Sequence, residues 1–479
     1  MFVATEETGT SLPFEDILFP SHPIHQDAGR LAKFLTHLEF ANLPSEVIHT
    51  AKRVTLDTIG CIAAGGATPL GRKILAVYSS GGRETGCCVP GTGLLLPPSL
   101  AAKAASWLSD VLDYEDVAAG HPSATVIPAA LAMAEHLAVT PQRFLSGVVA
   151  GYEAGLRVHD ATAASQEVYR RLAVYHAWHG IAAGAAAAVV AGGNESQIRS
   201  ALGHAAANTN VPIWYVQYGK PAHALKANYG QMTLGGVDAA LCARQDILGP
   251  FAMISDPERG FARIIGSDKF NPGELSAELG QRWRISELSI KTFPCCAFLH
   301  TTIDAAASVV RDHDIVVEEI ASVSVRCFSR ITEWFSDPAP ATDIDAQLSV
   351  QYVTAMALLS REPGRYWFAP EMMQSPVVKE LMRKLTVEVD PAAEEAFWDE
   401  DRYRSSVLIQ MKDGRKFRAT VDWAPGHWRR PLSDADIERK FLNNVRGTPL
   451  EVRGHQIIET TMALDRLASM EELYDLLRA

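Results

Sequence analysis
Four polar clusters interrupt an otherwise Ala-rich, apolar chain, and they hold most of the side chains that could do chemistry. The first is Asp113, Glu115 and Asp116, followed by His121, in LDYEDVAAGHPS. The second is YHAWHG, with His176 and His179. The third is GKPAHALKAN, with Lys220, His223 and Lys226, in an aromatic frame of Trp214, Tyr215 and Tyr218. The fourth is KTFPCC, with Lys291 and Cys296, and His300 shortly after. Histidines can move protons, lysines can hold carboxylates, and an aspartate can orient a base or act as one. Together they are a kit for removing a proton beside a carboxylate, where the growing negative charge needs electrostatic stabilisation.

Each cluster also has a plainer reading. The three carboxylates could form a solvated helix end, and His121 could cap the next helix with Pro122 in its first turn. The lysines of the third cluster could lie in a solvated turn, although lysines before a helix N-terminus also make an anion site. His176, His179 and Asp113 could serve a metal-dependent hydrolase, but a lone H-x-x-H without H-E-x-x-H is weak metal evidence, so the expectation is no metal. A carboxylate-binding protein without catalysis is a further alternative. What favours chemistry is cost: acids and an imidazole placed between two buried helices lose solvation unless they are paired.

The elements that must position these groups are mostly helices. Helical patterns run from Ala28 to Leu38, from Pro44-Ser45 through Cys61, from Ser99, again after Pro128, and from Pro141 to Asp160. Gly180 to Gly192 is apolar on every side, as expected for a helix buried all round. Asn194 with Gln197 reads as a capping arrangement for the helix that follows. The Gly- and Pro-rich stretch Gly82 to Pro98 reads as a connection with a short edge strand. After Phe270 strand-like runs appear at Ala321–Cys327, Leu385–Val389, Val407–Met411 and Phe417–Val421, with helices at Thr301–Arg311 and Ala346–Leu359. Asp413-Gly414 predicts a hairpin between the last two strands. Leu432-Ser433-Asp434 opens a return to helix, and these final helices need the N-terminal body to pack against. The expected fold is mainly α: a large helical domain from both chain ends (residues 1–280 and 431–479) with a smaller α+β lid domain (281–430).

Composition removes several function classes. The chain has 479 residues, enough for two or three domains, and a formal net charge of -12. A surface of that sign does not favour nucleic acid or anionic membranes, so an acidic ligand must find local positive charge in its site. The longest apolar stretch, Ile181 to Ala191, is too short to span a bilayer. The first residues carry acids and no Lys/Arg-rich segment ahead of an apolar run, which predicts a cytoplasmic protein. Seven cysteines with two vicinal pairs and no C-x-x-C fit a reducing compartment, each cysteine acting as a small buried apolar residue.

The motifs LDTIGCIAAGG, LDYEDVAAGHPSATVIPAALA, GYEAGLR, the His-Gly segment before the Ala-rich helix, GKPAHALKAN, GPFAMISDPERGF, KTFPCCAFLH and PLSDADIERKF, in this order along nearly the whole chain, resemble the MmgE/PrpD family of 2-methylcitrate dehydratases and cis-aconitate decarboxylases. The resemblance implies a cofactor-free, homodimeric enzyme acting on small di- and tricarboxylates. Asp113 matches the first acid of the family's D-[FY]-D-D motif, and His121 the histidine of H-P-S. His176 matches the histidine before the Ala-rich helix, Lys220 and His223 the K-P-x-H segment, and Lys291 the K-x-[FY]-P lysine. These would line one pocket, with Lys220, Lys226 and Lys291 on substrate carboxylates. His121 or His176 would protonate a departing hydroxyl with help from Asp113, and His223, Cys296, His300 and Tyr218 would lie close to substrate. Val117 replaces a common threonine, the gap before His121 is shorter than in the decarboxylases, and Cys296 stands where they carry histidine. These departures weigh against cis-aconitate decarboxylation and leave water loss, epimerisation and decarboxylation open. The leading expectation is a lyase of the 2-methylcitrate dehydratase type, with an epimerase or decarboxylase on a related diacid such as iminodisuccinate or cis-aconitate as the alternative.

Overall fold
The computed structural model describes residues 22–79, 85–172, 176–209, 219–222 and 225–478. Among these, ten helices build most of the body: α1 (Gln26–Thr36), α2 (Ser45–Gly66), α3 (Pro69–Ser79), α4 (Pro98–Asp110), α5 (Pro122–Leu137), α6 (Pro141–Thr162), α7 (Gln166–Leu172), α8 (His179–Val190), α9 (Glu195–Ala207) and α10 (Tyr229–Arg244). At its centre is α8, the Ala/Gly run, in which every residue is buried. It packs against α5, α6, α9 and α10. Its small side chains allow close approach: a Cβ on Gly236 of α10 would lie 2.6 Å from the Gly180 carbonyl oxygen. The capping box of Asn194 and Gln197 starts α9 as expected.

One helix start differs from the sequence reading. Helix α5 begins at Pro122 and runs through Pro128. Pro122 suits the first helical position, where its missing N–H costs nothing, and burial of every residue from Pro122 to Ala134 outweighs the ladder bond lost at Pro128.

The connection after α3 carries a two-residue ladder of β1 (Cys87–Cys88) and β2 (Leu95–Leu96). A second ladder matters more for function. Strand β3 (Asp116–Val117) pairs antiparallel with β4 (Ser289–Ile290), setting the acidic segment beside the one that leads to Lys291. The α+β part is built on a four-stranded sheet of β5 (Ile320–Cys327), β6 (Leu385–Val389), β7 (Ser405–Met411) and β8 (Lys416–Val421), in the order β6-β5-β7-β8. Within this sheet only β5 and β6 run parallel, and β7 and β8 form the expected hairpin, with Gly414 at φ +90° in its turn.

The chain then returns to the body. Ser433 caps the helix Asp434–Val445 through a capping box with Asp436, and this helix packs on α2, where Phe441 abuts Gly60. Farther on, the Tyr474 hydroxyl donates to the Leu131 carbonyl of α5 at 2.8 Å. A mainly α protein with a smaller α+β part is therefore what the sequence folds into. Among the described residues no helix is long and apolar enough to cross a membrane. All seven cysteines are free, but Cys242 and Cys296 are only half-buried, against the expectation that each is buried.

Candidate functional site
Helix α4 ends at Asp110, and the chain turns sharply because Asp113 adopts a left-handed conformation (φ 51°). Non-glycine residues are rare there and persist only where their surroundings over-determine them. The turn projects Asp110, Asp113 and Glu115 toward His121, which stands just before α5. Although His121 occupies the cap position, its side chain makes no cap bond: Nδ1 lies 2.5 Å from Glu115 Oε1, and Nε2 lies 3.6 Å from Asp113 Oδ1. Two ammonium groups answer the acids. Lys291 Nζ pairs with the Asp113 carboxylate and bonds its carbonyl at 3.1 Å, while Lys226 Nζ sits 3.1 Å from Asp110 Oδ1. Lys226 is also left-handed (φ 42°), as is Asn228 (φ 58°), whose Oδ1 accepts from the Trp107 indole of α4 at 3.0 Å.

Burial and mutual charge separate these groups into distinct protonation states. Burial pushes the Asp113 carboxyl up, but Lys226, Lys291 and His121 outweigh it and hold the group ionised, well below the ordinary carboxylate range. Glu115 balances the same way, chiefly against His121, and comes down to about 2. Asp110 goes the other way: burial dominates over the Lys226 charge, and the neighbouring Glu115 and Asp113 charges add to it, so its carboxyl is pushed well above the usual carboxylate range. Burial would strip protons from both lysines, yet the acids raise them, so Lys226 and Lys291 remain cationic. Titratable groups driven apart by their surroundings are a mark of acid/base sites.

Since Glu115 is ionised it can only accept, so His121 Nδ1 carries the donated proton and Nε2 is the nitrogen left to react. His179 is different. Its Nδ1 donates to the His176 carbonyl at 2.7 Å, and its Nε2 accepts the His121 backbone N–H at 3.0 Å. Both nitrogens are engaged, burial holds the ring neutral, and its part is to fix the loop carrying His121. Gly120 enables this contact: at φ +137°, a Cβ there would lie 2.5 Å from His179 Cε1. His176 Nδ1 bonds the Tyr229 hydroxyl, and burial, with the neighbouring histidines, keeps His176 neutral. The Tyr229 ring lies 5.4 Å from those of both His121 and His176.

The structure thus brings together Asp113, His121, His176, Lys226 and Lys291. Cys296 lies close enough for the Asp113 charge to reinforce burial in pushing its thiol up to about 12, so it is a neutral thiol. His300 sits behind Lys291, with Nε2 3.2 Å from the Cys295 carbonyl, and burial and the Lys291 charge lower it to about 3. It lines a cavity of about 40 Å³ with Lys291, Tyr403 and His427. Lys220 is not with the others. Its side chain is 49% exposed, and Nζ pairs with Asp337 at 2.9 Å and lies 3.7 Å from Asp345 in the α+β part. His223, Tyr218, Trp214 and Tyr215 lie outside the described residues.

Two members of the cluster escaped sequence reasoning. Neither Asp110 nor Tyr229 stands in a polar cluster that the sequence singles out, and only folding places them at the site. Asp116, grouped with the acids by sequence, turns away: it accepts from the Tyr152 hydroxyl at 2.5 Å and the Ser123 N–H at 3.0 Å, and burial raises it to about 6. The metal set of His176, His179 and Asp113 fails, since His179 has no nitrogen to offer and Asp113 is bound to Lys291. Asp110, Glu115 and His121 do converge within 4.8 Å, but a cation there would meet the Lys226 ammonium already on Asp110. The chemistry this arrangement supports is proton transfer at a site whose positive charge comes from lysine.

Comparison with known proteins matches the chain over most of its length. The MmgE/PrpD N-terminal domain matches residues 29–272 and the MmgE/PrpD C-terminal domain matches residues 293–466. A cis-aconitate decarboxylase of Homo sapiens is 28% identical over 426 residues, covering 85% of this chain and 85% of that protein. That of Mus musculus is 27% identical over 425 residues, covering 85% and 84%. A cis-aconitate decarboxylase of Aspergillus terreus is 25% identical over 482 residues, covering 93% and 95%.

Proposed function
The chain belongs to the MmgE/PrpD family, and from that premise we propose that it is a lyase that decarboxylates a small unsaturated tricarboxylate of the cis-aconitate type. The observation that carries the reading is the buried His121–Glu115 pair, with Nε2 left free to react and with Lys226 and Lys291 cationic beside it. Substrate carboxylates would be held by the two lysines in competition with Asp110 and Asp113. The bond from carbon to the departing carboxylate breaks and CO2 leaves. The electron pair stays on the substrate, delocalised through the adjacent double bond. The proton on His121 Nε2 then adds to carbon, and water returns one to the imidazole. Glu115 steadies the imidazolium while it exists. The relatives named for this reaction move it ahead of the 2-methylcitrate-type dehydration expected first from the sequence.

A second reading rests on Asp110. A carboxyl that burial pushes well above the usual range, 3.6 Å from His121 Nδ1, could give a proton to a leaving hydroxyl while His121 Nε2 removes the proton beside a carboxylate, which is dehydration of the 2-methylcitrate type. In either form the chain itself supplies acid, base and counter-charge, and the protein would work without a cofactor, as a homodimer in the cytoplasm. The test is direct: incubate the purified protein separately with cis-aconitate, 2-methylcitrate and iminodisuccinate, following CO2 release and product NMR. CO2 with an unsaturated diacid from cis-aconitate supports the proposal. An alkene from 2-methylcitrate without CO2 moves it to dehydration, loss of chirality in iminodisuccinate moves it to epimerisation, and inertness toward all three overturns it.

A further inference from the structure
Two motifs far from the acidic cluster in sequence meet directly beneath it. Asp57 of LDTIG, on α2, and Lys440 of PLSDADIERKF, on the C-terminal helix, form a buried ion pair at 2.6 Å. The Lys440 ammonium also donates to the Tyr114 carbonyl at 2.6 Å and lies 4.1 Å from the centre of the Tyr114 ring. Tyr114 is the residue between Asp113 and Glu115. Its hydroxyl in turn donates to the Thr292 carbonyl at 3.2 Å, next to Lys291.

The whole turn is held the same way. Its carbonyls lie outside any helix ladder and must find other donors when buried. The Val111 carbonyl accepts from Gln347 at 2.9 Å, that of Asp113 from Lys291 at 3.1 Å, and that of Tyr114 from Lys440. Three remote segments each pin one carbonyl, and Asp113 between them keeps its left-handed backbone. Of the three donors, Lys291 is one of the reacting groups and Gln347 belongs to the α+β part, whereas Lys440 comes from the helix that returns to the body. We propose that Lys440, balanced by Asp57, is a positioning residue that fixes the Asp113-Tyr114-Glu115 peptide so that Glu115 meets His121 and Asp113 meets Lys291. The C-terminal return of the chain is thereby a working part of the site. This inference rests on the lyase reading for its activity test, but not for its structural one.

The experiment compares wild type with Lys440→Met and with Lys440→Met/Asp57→Asn, the second leaving no unpaired buried charge. The double variant is expected to keep its Tm within a few degrees and its KM within about threefold while kcat falls roughly 30- to 100-fold, the scale of an ångström-sized misplacement. A purely structural strut would lower Tm and leave kcat of the folded fraction alone. Wild-type kcat in the folded double variant overturns the proposal. The second readout needs no turnover: the downfield proton resonance of His121 Nδ1–H, assigned by its loss in Glu115→Gln. It should shift or vanish in the double variant, and an unchanged resonance overturns the proposal. Should wild type turn over no polycarboxylate, the lyase reading fails while the resonance still decides this one. If the double variant does not fold, Lys440→Gln, which retains a donor, is expected to recover part of the resonance shift, and failure to do so counts against the proposal.

Discussion

Glu115→Gln is the sharpest probe of the site, because it changes charge and little else. Glu115 is fully buried and its Oε1 lies 2.5 Å from His121 Nδ1. When His121 carries its second proton, the carboxylate stabilises the cation by about 4 kcal/mol, the Coulomb energy of unit charges ~4 Å apart at an effective dielectric of about 20. At 1.36 kcal/mol per decade of rate, kcat should fall about 10²- to 10³-fold, and more if the amide turns its NH2 to Nδ1 and reverses the tautomer. KM should move little, since the substitution leaves both lysines in place.

Stability provides an independent check with a definite sign. The Glu115 carboxyl is held at about 2, against 4.5 for an ordinary glutamate. A depressed carboxyl stabilises the fold above its unfolded value and loses that contribution as pH falls toward the folded one. Wild type should therefore exceed Glu115→Gln by about 3 kcal/mol near neutrality, with the gap closing as pH drops from about 4.5 toward 2. Initial rates of CO2 release from cis-aconitate give kcat and KM, and urea melts at several pH values give stability. A folded Glu115→Gln protein with kcat within about tenfold of wild type would show that His121 is not driven through Glu115, and the reasoning about the dyad would fall.

Three further outcomes follow from the geometry. Lys220→Ala should leave kcat/KM within about threefold and stability within ~1 kcal/mol, because an exposed ion pair contributes little; a hundredfold loss would put Lys220 back in the pocket. Gly120→Ala forces a methyl group to within 2.5 Å of His179 at a backbone angle only glycine favours. It should cost about 1–3 kcal/mol in thermal or urea melts and lower kcat by displacing His121. Asp116→Asn should remove a pH dependence: with the carboxyl raised to about 6, the contribution of Asp116 to stability is fully present below about pH 4 and up to about 3 kcal/mol of it is lost as pH climbs through 6, so the difference between wild type and the amide variant should change by that amount in urea melts across that range.

The fold was legible where pattern and packing agree. The all-apolar run at α8, the Asn194 capping box, the Asp413-Gly414 hairpin and the Ser433 start of the returning helix are local signals that tertiary structure had no reason to override. Pro128 misled because burial outweighed a local breaker. The site was legible only in part, for a different reason. Asp113, His121, His176 and Lys291 sit in visibly polar interruptions of an apolar chain, but what each does depends on its partner. His179 has the same sequence signature as His176 and ends with both nitrogens tied to backbone. Lys220 and Lys226 are six residues apart in one basic segment, yet one is half-exposed on Asp337 while the other is buried on Asp110. What separates them is the left-handed turn at Lys226 and Asn228, together with the β3–β4 ladder that brings Lys291 to Asp113. Neither has a composition signal, since no glycine marks the turn and the ladder is two residues long. The long-range pair of Asp57 and Lys440 is the extreme case: each is an ordinary charged residue on an amphipathic helix until the chain ends meet, and only then does one of them hold the peptide between two buried acids.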